Sequence, residues 1–258
     1  MIGLLRRPWV GLAALGAGAY LVFLLVNLPA AWVGFALERA SGGALGLGEP
    51  KGTAWKGRGV LAARSGSAYA PIAGIDWSFN PLSVFTGRLS VAVSGSEHET
   101  QFRASLNAGL ESVRLQNLEA NVPATLLESA SAAASFAKPE GSLRVKSDSL
   151  EIGKASVRGA ASAEWIDAGL AGMQVPRLGD YRLQITASGD RADLRLTTLR
   201  GDLRLNGDGE WRASQPRVVQ LRGTAQNLTE RKDLEPVLRM IGARGGGAAQ
   251  AFAWTLPI

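Results

Sequence analysis

A long uncharged segment near the N-terminus constrains the fold of this chain more than any other feature. No charged residue lies between Pro8 and Leu37. Residues 9–28 of this segment are almost wholly apolar, and about 20 such residues are enough to cross the hydrocarbon core of a membrane as a helix. The sequence therefore predicts one transmembrane helix over residues 9–28. Its expected anchoring residues are Trp9, Tyr20, Leu24 and Leu28.

The charges that flank this segment predict its orientation. Arg6 and Arg7 precede it, whereas Glu38 and Arg39 follow only well past its end. Because positively charged flanks remain in the cytoplasm, the N-terminus is expected there and the rest of the chain outside it. The predicted organisation is a cytoplasmic N-terminus (1–8), a transmembrane helix (9–28), a membrane-proximal helix and linker (29–50) and an exported β-rich domain (51–258).

Two other interpretations compete with a transmembrane helix. A cleaved signal peptide is suggested by the small residues Ala30 and Ala31 after the apolar run, but signal peptides carry a shorter apolar region of about 7–15 residues. Trp9, Tyr20 and Trp32 mark both ends of the run, as interfacial aromatic residues do. A buried core helix is disfavoured because soluble helices of this length keep a polar face.

Composition limits the possible chemistry. The chain contains no cysteine, which excludes disulfides, thiolate metal sites and thiol nucleophiles. Its formal net charge is +6, but export removes nucleic acid as a partner and leaves anionic lipid or an acidic protein surface. With 46% hydrophobic and 19% charged residues, the chain should fold and should not be a many-pass transporter.

From Lys51 onward, apolar and polar residues alternate, which is the period of half-buried strands. The clearest cases are residues 89–93, 155–165 and 181–187, and further candidates are 143–145, 193–199, 203–205, 218–223 and 249–256. Close spacing and turn residues, at 188–190 and 206–209, favour antiparallel hairpins. The predicted fold is mainly β: an antiparallel, curved or layered sheet domain that follows the transmembrane helix and contains one or two short helices.

Helical patterns occur at three further places. Residues 29–40 continue the anchor helix, with Trp32 and Phe35 on a face expected to rest at the membrane surface, until Ser41 and two glycines end it. A short helix is predicted around residues 122–131, before an alanine-rich stretch (129–137) that suggests a boundary between lobes. A longer helix is predicted over 229–241, with Thr229 as its N-cap and Leu234, Val237, Leu238 and Ile241 as its apolar stripe.

The residues predict no catalytic, cofactor-binding or metal site. His98 is the only histidine and lies among polar residues of an expected hairpin loop, so a catalytic triad would have to depend on it. Scattered carboxylates, at Asp148, Asp190, Asp193 and Asp208, fit solvated turns better than a cation site. The glycine pairs and triplets lack the lysine and strand–loop–helix context of a phosphate-binding loop.

A series of arginines on the polar sides of the last strands is the best candidate for an interaction surface. Its members are Arg195, Arg204, Arg212, Arg217 and Arg222, and Arg200 lies among them. An ordinary solvated face remains the alternative to a stripe that binds acidic protein or lipid head groups.

Four tryptophans, Trp55, Trp165, Trp211 and Trp254, each stand late in a predicted strand entered through small residues. Taken singly, each of these segments is explained by glycine at a turn and tryptophan in a core. Their recurrence along the chain favours repeated β-units. Together with the anchor, the order of these pieces resembles the type II secretion system protein N family (general secretory pathway protein N). The residues that carry the resemblance are Pro29, Gly52, Thr53, Trp55, Gly57, Trp165, Gly179, Tyr181, Gly201, Gly207, Trp211 and Trp254.

This resemblance implies a single-pass protein of the bacterial inner membrane with its C-terminal domain in the periplasm. It further implies a non-enzymatic accessory to the machine that exports folded proteins across the outer membrane, in contact with the inner-membrane platform or the secretin, and with membrane lipid. No catalytic residue or cofactor is carried over. The alternative is a lipid-handling β-groove like that of the AsmA-type proteins, which share the motif around Trp55, and an enzyme is a distant third.

Overall fold

The computed structural model describes residues 8–65, 68–81, 89–97, 100–109, 111–129, 132–153, 156–215, 218–242 and 249–257. These residues belong to two compact units, Met1–Pro81 and Leu82–Ile258. Several residues of the sequence predictions lie outside the described ranges, namely Arg6, Arg7, His98, Arg217 and the glycines at 245–247.

The described residues of the first unit form two helices and three strands. They are α1 (Pro8–Val26), α2 (Ala31–Ala40), β1 (Leu45–Gly52), β2 (Lys56–Ser65) and β3 (Ala68–Phe79). β1 pairs antiparallel with β2, and β2 with β3. The prediction that residues 29–40 continue the preceding helix is wrong at its start, because α1 ends at Val26 and Pro29 forms a β-bridge with Thr53 before α2 begins at Ala31. The predicted end is confirmed: α2 stops before Gly42 and Gly43, whose φ angles of 62° and 83° are incompatible with a continuing helix.

Helix α1 exposes large apolar side chains along its length. Leu15, Leu21 and Phe23 are 72%, 66% and 61% exposed. Nevertheless, none of the helices in the described ranges combines the length and the hydropathy needed to span a membrane. The transmembrane helix over residues 9–28 therefore stays a prediction.

The second unit is an antiparallel meander of ten strands, each paired with the next described strand in the chain. The strands are β4 (Leu89–Glu97), β5 (Thr100–Ala108), β6 (Ser112–Pro123), β7 (Pro139–Gly153), β8 (Val157–Leu170), β9 (Val175–Gly189), β10 (Arg191–Gly201), β11 (Leu203–Arg212), β12 (Val218–Asn227) and β13 (Gln250–Pro257). In the described part of this unit, two short α-helices interrupt them, α3 (Ala132–Ala137) and α4 (Glu235–Met240). A mainly β, antiparallel fold with few short helices is thus confirmed.

Strand register separates an apolar from a polar face, as the alternation predicted. Ala163 of β8 stands opposite Leu183 of β9, which stands opposite Leu196 of β10. One position along, Glu164 stands opposite Arg182, whose guanidinium lies 2.8 Å from that carboxylate. Because side chains alternate between the two faces of a strand, this register places every apolar member on the same face.

The core of the second unit forms where α4 and a preceding 3-10 turn (Lys232–Leu234) cover the apolar face. Leu234, Val237 and Leu238 are 0%, 2% and 6% exposed and pack with Tyr181, Leu203, Leu221 and Phe252. Burial of each aliphatic side chain contributes about 2 kcal/mol. The predicted apolar stripe of this helix, including Ile241 at its end, is confirmed.

The predicted start of that helix is wrong. Thr229 is not an N-cap, because the helical turn begins only at Lys232. Asn227 accounts for the delay: its amide donates to the carbonyl of Arg231 (2.8 Å) and accepts from the N–H of Arg231 (3.2 Å), which closes residues 227–231 into a loop. Glu230, within this loop, has a left-handed φ of 54° that a helix could not contain.

Three further local predictions need correction. Residues 206–209 do not form a turn but continue β11, because Gly207 and Gly209 let the neighbouring strand β12 approach closely. The predicted helix around 122–131 begins later, since β6 runs to Pro123 before a 3-10 helix (Ala124–Ser129). The alanine-rich stretch forms α3 within the second unit and separates no lobes.

Two facing glycines let β9 and β10 approach closely where they meet. Gly201 has a φ of 131°, and a Cβ there would lie 2.4 Å from the Cα of Gly179. We expect Gly201→Ala to lower the free energy of unfolding of the full chain in detergent by about 3 kcal/mol or more, because strain and a backbone clash add. Urea titration followed by tryptophan fluorescence measures the change.

Gly189→Ala is the matched control. Gly189 also has a positive φ, 80°, but a Cβ there would meet no atom within 4 Å. Its replacement should cost only the left-handed strain of about 1 kcal/mol. Equal losses in the two variants would contradict the role assigned to the close approach.

Candidate functional site

The Gly-Thr-Ala-Trp-Lys-Gly motif forms the turn between β1 and β2 and binds the end of α1. The indole N–H of Trp55 donates to the carbonyl of Leu25 at 2.7 Å, and the N–H of Ala54 donates to that of Leu28 at 2.7 Å. Thr53 forms an isolated β-bridge with Pro29. The Leu25 carbonyl, in the last turn of α1, also accepts the N–H of Leu28 at 3.2 Å, so the turn adds a second hydrogen bond at this helix end and one to the residue that follows it.

The other motif residues of the first unit stabilise the same turn. Thr53 accepts the N–H of Lys56 on its hydroxyl at 3.2 Å, and the Trp55 ring packs on Phe79 with centroids 5.1 Å apart. Gly57 lies against Trp77, and a Cβ on Gly57 would approach that ring to 2.5 Å. The motif is therefore explained by the joint that it builds between helix and sheet.

Helix α2 leaves an aromatic pair exposed next to this joint. Trp32 and Phe35 are each 56% exposed, and their rings meet edge to face with centroids 6.1 Å apart. On its other side, Gly34 packs on Leu47 of β1. An exposed apolar pair on a helix held by its opposite side is suited to contact with lipid or with another apolar surface.

An apolar cavity of 480 Å³ lies in the second unit, between the apolar face of the sheet and helices α3 and α4. Apolar side chains from six strands and both helices line it, including Trp165, Tyr181, Leu196, Val237 and Trp254. The volume falls within the range of about 300–1,000 Å³ typical of small-molecule pockets.

Three motif aromatics of this cavity are held in place by hydrogen bonds to backbone carbonyls. The Tyr181 hydroxyl donates to Leu203 at 2.9 Å, the Trp165 indole to Glu140 at 2.8 Å, and the Trp254 indole to Ile241 at 2.6 Å. Burial raises the pKa of the Tyr181 hydroxyl further above its ordinary value, so this group stays a neutral donor. The cavity wall is therefore preformed.

An aspartate–arginine network borders the cavity lining where β8, β9 and β10 meet. Asp180 is 7% exposed and accepts the backbone N–H of Asp167 at 2.8 Å and the guanidinium of Arg200. Arg200 and Arg177 each also reach Asp167 at 3.1 Å. Burial alone would raise the pKa of Asp180, but these hydrogen bonds outweigh it and hold that pKa below its ordinary value.

A third arginine extends the network to the loop before α4. Arg231 donates to Asp202 at 2.9 Å, to Asp233, and to the carbonyl of Arg177 at 3.0 Å. This network was not predicted from the sequence, although Asp180 and Asp202, which follow the motif residues Gly179 and Gly201, were a usable signal.

The predicted arginine surface is brought together only in part. Arg195, Arg204, Arg212 and Arg222 lie on the polar face of β10–β12 by their register. Arg195 pairs with Asp208 at 3.1 Å and Arg212 pairs with Glu210 on its own strand. Arg204 and Arg222 have no ion pair within the described ranges.

The remaining residues predicted from the sequence are the expected membrane anchors and Trp211. Tyr20 and Leu24 are exposed on α1, Trp9 belongs to the same helix, and Leu28 follows its end. Trp211 packs on the small cluster of Val157, Ala187 and Ala192. No group of three or more metal-binding side chains occurs in the part of the chain that the structure describes.

These features define an antiparallel β-sheet protein with a preformed apolar cavity on one face of the sheet and charged side chains on the other. The chain matches the model of the type II secretion system (T2SS) protein N family over residues 43–251, and it belongs to that family. This identifies a component of an envelope-associated protein-secretion system that works with other proteins of the system. Neither a curated protein nor a solved structure gives a significant match.

The charge of Asp180 should stabilise the fold in a pH-dependent way. Because its pKa is lowered by folding, its contribution is present above the ordinary aspartate pKa of about 3.9 and is lost as the pH falls through the lower folded value. We expect Asp180→Asn to cost about 2 kcal/mol at pH 7 and to flatten the loss of stability below about pH 4. Urea titrations of the full chain across this range measure both effects.

Asp148→Asn serves as the control because Asp148 is exposed in β7. It should change the free energy of unfolding at pH 7 by less than about 0.5 kcal/mol. If Asp180→Asn behaved like this control, the network would be an ordinary solvated cluster.

Proposed function

We propose that the protein is a non-enzymatic accessory component of the type II secretion system in the bacterial inner membrane, where it assists export of folded proteins across the outer membrane. The observation that carries this proposal is the family match over residues 43–251, which takes in β1 to β12 and the start of β13. An accessory role needs binding surfaces and a fixed position, and the following features support both.

Membrane attachment through the N-terminal segment supports the fixed position. The exposed apolar side chains of α1 and the exposed Trp32–Phe35 pair of α2 follow one another in the chain. Burial of apolar side chains in lipid, with aromatic rings at the interface, would stabilise both helices. In this arrangement the protein crosses the inner membrane once and its C-terminal domain lies in the periplasm.

Partner binding is the second requirement. The inner-membrane platform or the secretin is the proposed partner, and the polar face of β10–β12 is a candidate contact surface. Arg204 and Arg222 on this face have no ion pair in the described part of the chain, so an acidic partner would gain contacts without breaking existing ones.

The apolar cavity favours a second candidate function, lipid handling. Its 480 Å³ and its lining of aromatic and aliphatic side chains suit an alkyl chain better than a polar ligand. In this alternative the β-domain would carry or shield lipid between the two membranes, and partner proteins would be secondary.

The absence of cysteine allows the proposed topology to be tested directly. We expect Asp190→Cys, at the exposed turn between β9 and β10, to react with a membrane-impermeant maleimide in spheroplasts. Gly3→Cys should react only after the membrane is permeabilised, because its side of the membrane is the cytoplasm. Labelling of both positions, or of Gly3→Cys alone, would contradict the orientation.

Pull-down from detergent-solubilised inner membranes, with mass spectrometry of the accompanying proteins and lipids, separates the two functions. We expect other subunits of the secretion system to co-purify without stoichiometric phospholipid, because the proposal is one of protein contacts. The double variant Arg204→Ala, Arg222→Ala should reduce this recovery several-fold if the polar face is the contact, whereas Arg195→Ala, already paired with Asp208, should reduce it less.

Stoichiometric phospholipid in the absence of secretion-system subunits would overturn the accessory role and favour lipid handling. A matched measurement of secreted protein in cells that lack the chain gives an independent readout. Unchanged secretion would argue against the accessory role, irrespective of what co-purifies.

A further inference from the structure

Strand β13 is an edge of the sheet in the second unit. It pairs with β12 over its whole length, from Gln250 opposite Ala225 to Pro257 opposite Val218. On its other side, no strand neighbours it among the described residues. An edge strand presents a row of backbone N–H and C=O groups that can pair with another extended chain.

Edge strands are commonly blocked against the addition of a further strand, and β1 of the first unit shows how. Its pairing with β2 is interrupted between Gly48 and Lys51, and this interval contains Pro50. Glu49 and Lys51 add a charge pair at 3.8 Å. Proline, a register shift and charges are the devices that prevent a further strand from adding.

β13 contains none of these devices before its last residue. Residues 250–256 include no charged residue and no proline, and the register with β12 continues without a shift from Gln250 to Pro257. The exposed, small Ala251 and Ala253 on its polar face offer no steric barrier to a neighbouring strand. Among the described residues, the edge is thus regular and lacks these blocking devices.

The polar face specifies the charge of a strand that would add here. Opposite residues on successive strands form the row Arg195, Asp208, Arg222 and Ala253. Charge alternates along this row, and Arg222 has no ion pair within the described ranges. An added strand would lie about 10 Å from β12. The Arg222 side chain, extended over Ala253, and a glutamate of the added strand, extended towards Arg222, would together span this distance.

The apolar face specifies the alternate residues of that strand. Phe252 is 3% exposed, and its ring packs on Trp254 with centroids 4.6 Å apart. The Trp254 indole is fixed by its hydrogen bond to Ile241. Apolar residues of an added strand would stand beside these rings and extend the apolar face by one row.

We propose that β13 is a strand-addition site for an extended segment of a partner protein in which acidic residues alternate with apolar ones. Backbone hydrogen bonds along the edge supply affinity, while Arg222 and the Phe252–Trp254 pair select the sequence. This inference goes beyond the secretion role and does not depend on it, because the edge and its charges are properties of the chain itself.

The test uses the full chain in detergent and a synthetic peptide of about ten residues that alternates valine with glutamate, with one central glutamate replaced by cysteine. Ala253→Cys introduces a single thiol on β13 of this cysteine-free chain. Directly opposite residues on paired strands are about 5 Å apart, which permits a disulfide, so we expect efficient oxidative cross-linking.

Thr224→Cys is the control, since Thr224 is exposed on the polar face of β12, one strand inward. An added strand would be about 10 Å away, beyond the reach of a disulfide, so little cross-linking is expected. Fluorescence anisotropy of the labelled peptide, with glutamate in place of its cysteine, should show about fivefold weaker binding for Arg222→Ala and a smaller change for Arg195→Ala.

Equal cross-linking at both positions, or none at Ala253→Cys, would overturn the proposal. A lysine version of the peptide that binds as well would overturn its charge specificity. Disulfide-linked dimers of Ala253→Cys without peptide would show that a second copy occupies the edge, which would also overturn it. These outcomes do not depend on the results of the topology and pull-down experiments, so the strand-addition proposal and the secretion role can fail separately.

Discussion

Strand register is the constraint on which the second unit depends. Its sheet is a single layer, so each pair of strands must place all apolar side chains on one face for α3 and α4 to cover part of that face. A slip of one residue would turn Tyr181 and its row outwards and destroy the cavity. The facing pair Gly179 and Gly201 and the hydrogen bonds of Asp180 fix this register where β9 and β10 meet.

The cavity and the charged network are built by neighbouring residues of the same elements. Tyr181 stands next to Asp180 in β9, so the ring enters the apolar cluster while the neighbouring carboxylate meets Arg200. Arg231 connects the same region to the start of α4, whose Val237 lines the cavity. The position of the Tyr181 ring and the pairing of the Asp180 carboxylate therefore both depend on the same local arrangement of β9.

Alternation made the strands and the apolar stripe of α4 predictable, because period and burial are local properties of the sequence. The motif glycines pointed to Asp180, but its pairing with Asp167 and Arg200 was not predictable, since it depends on the register of three strands. The start of α4 was misplaced because Asn227 hydrogen-bonds four residues ahead, which outweighs the capping preference of Thr229. Glycines at 207 and 209 suggested a turn, but they serve close strand packing, which no local pattern distinguishes.

The joint at the end of α1 has a mechanical consequence. Trp55 and Ala54 bind the carbonyls of Leu25 and Leu28, and Pro29 bridges to Thr53, so the connection between α1 and the three-stranded sheet has little freedom to swivel. A tilt of α1 would therefore rotate β1 and β2 with it. A bilayer that set the angle of this helix would also set the direction in which the three-stranded sheet points, because the connection between them is rigid.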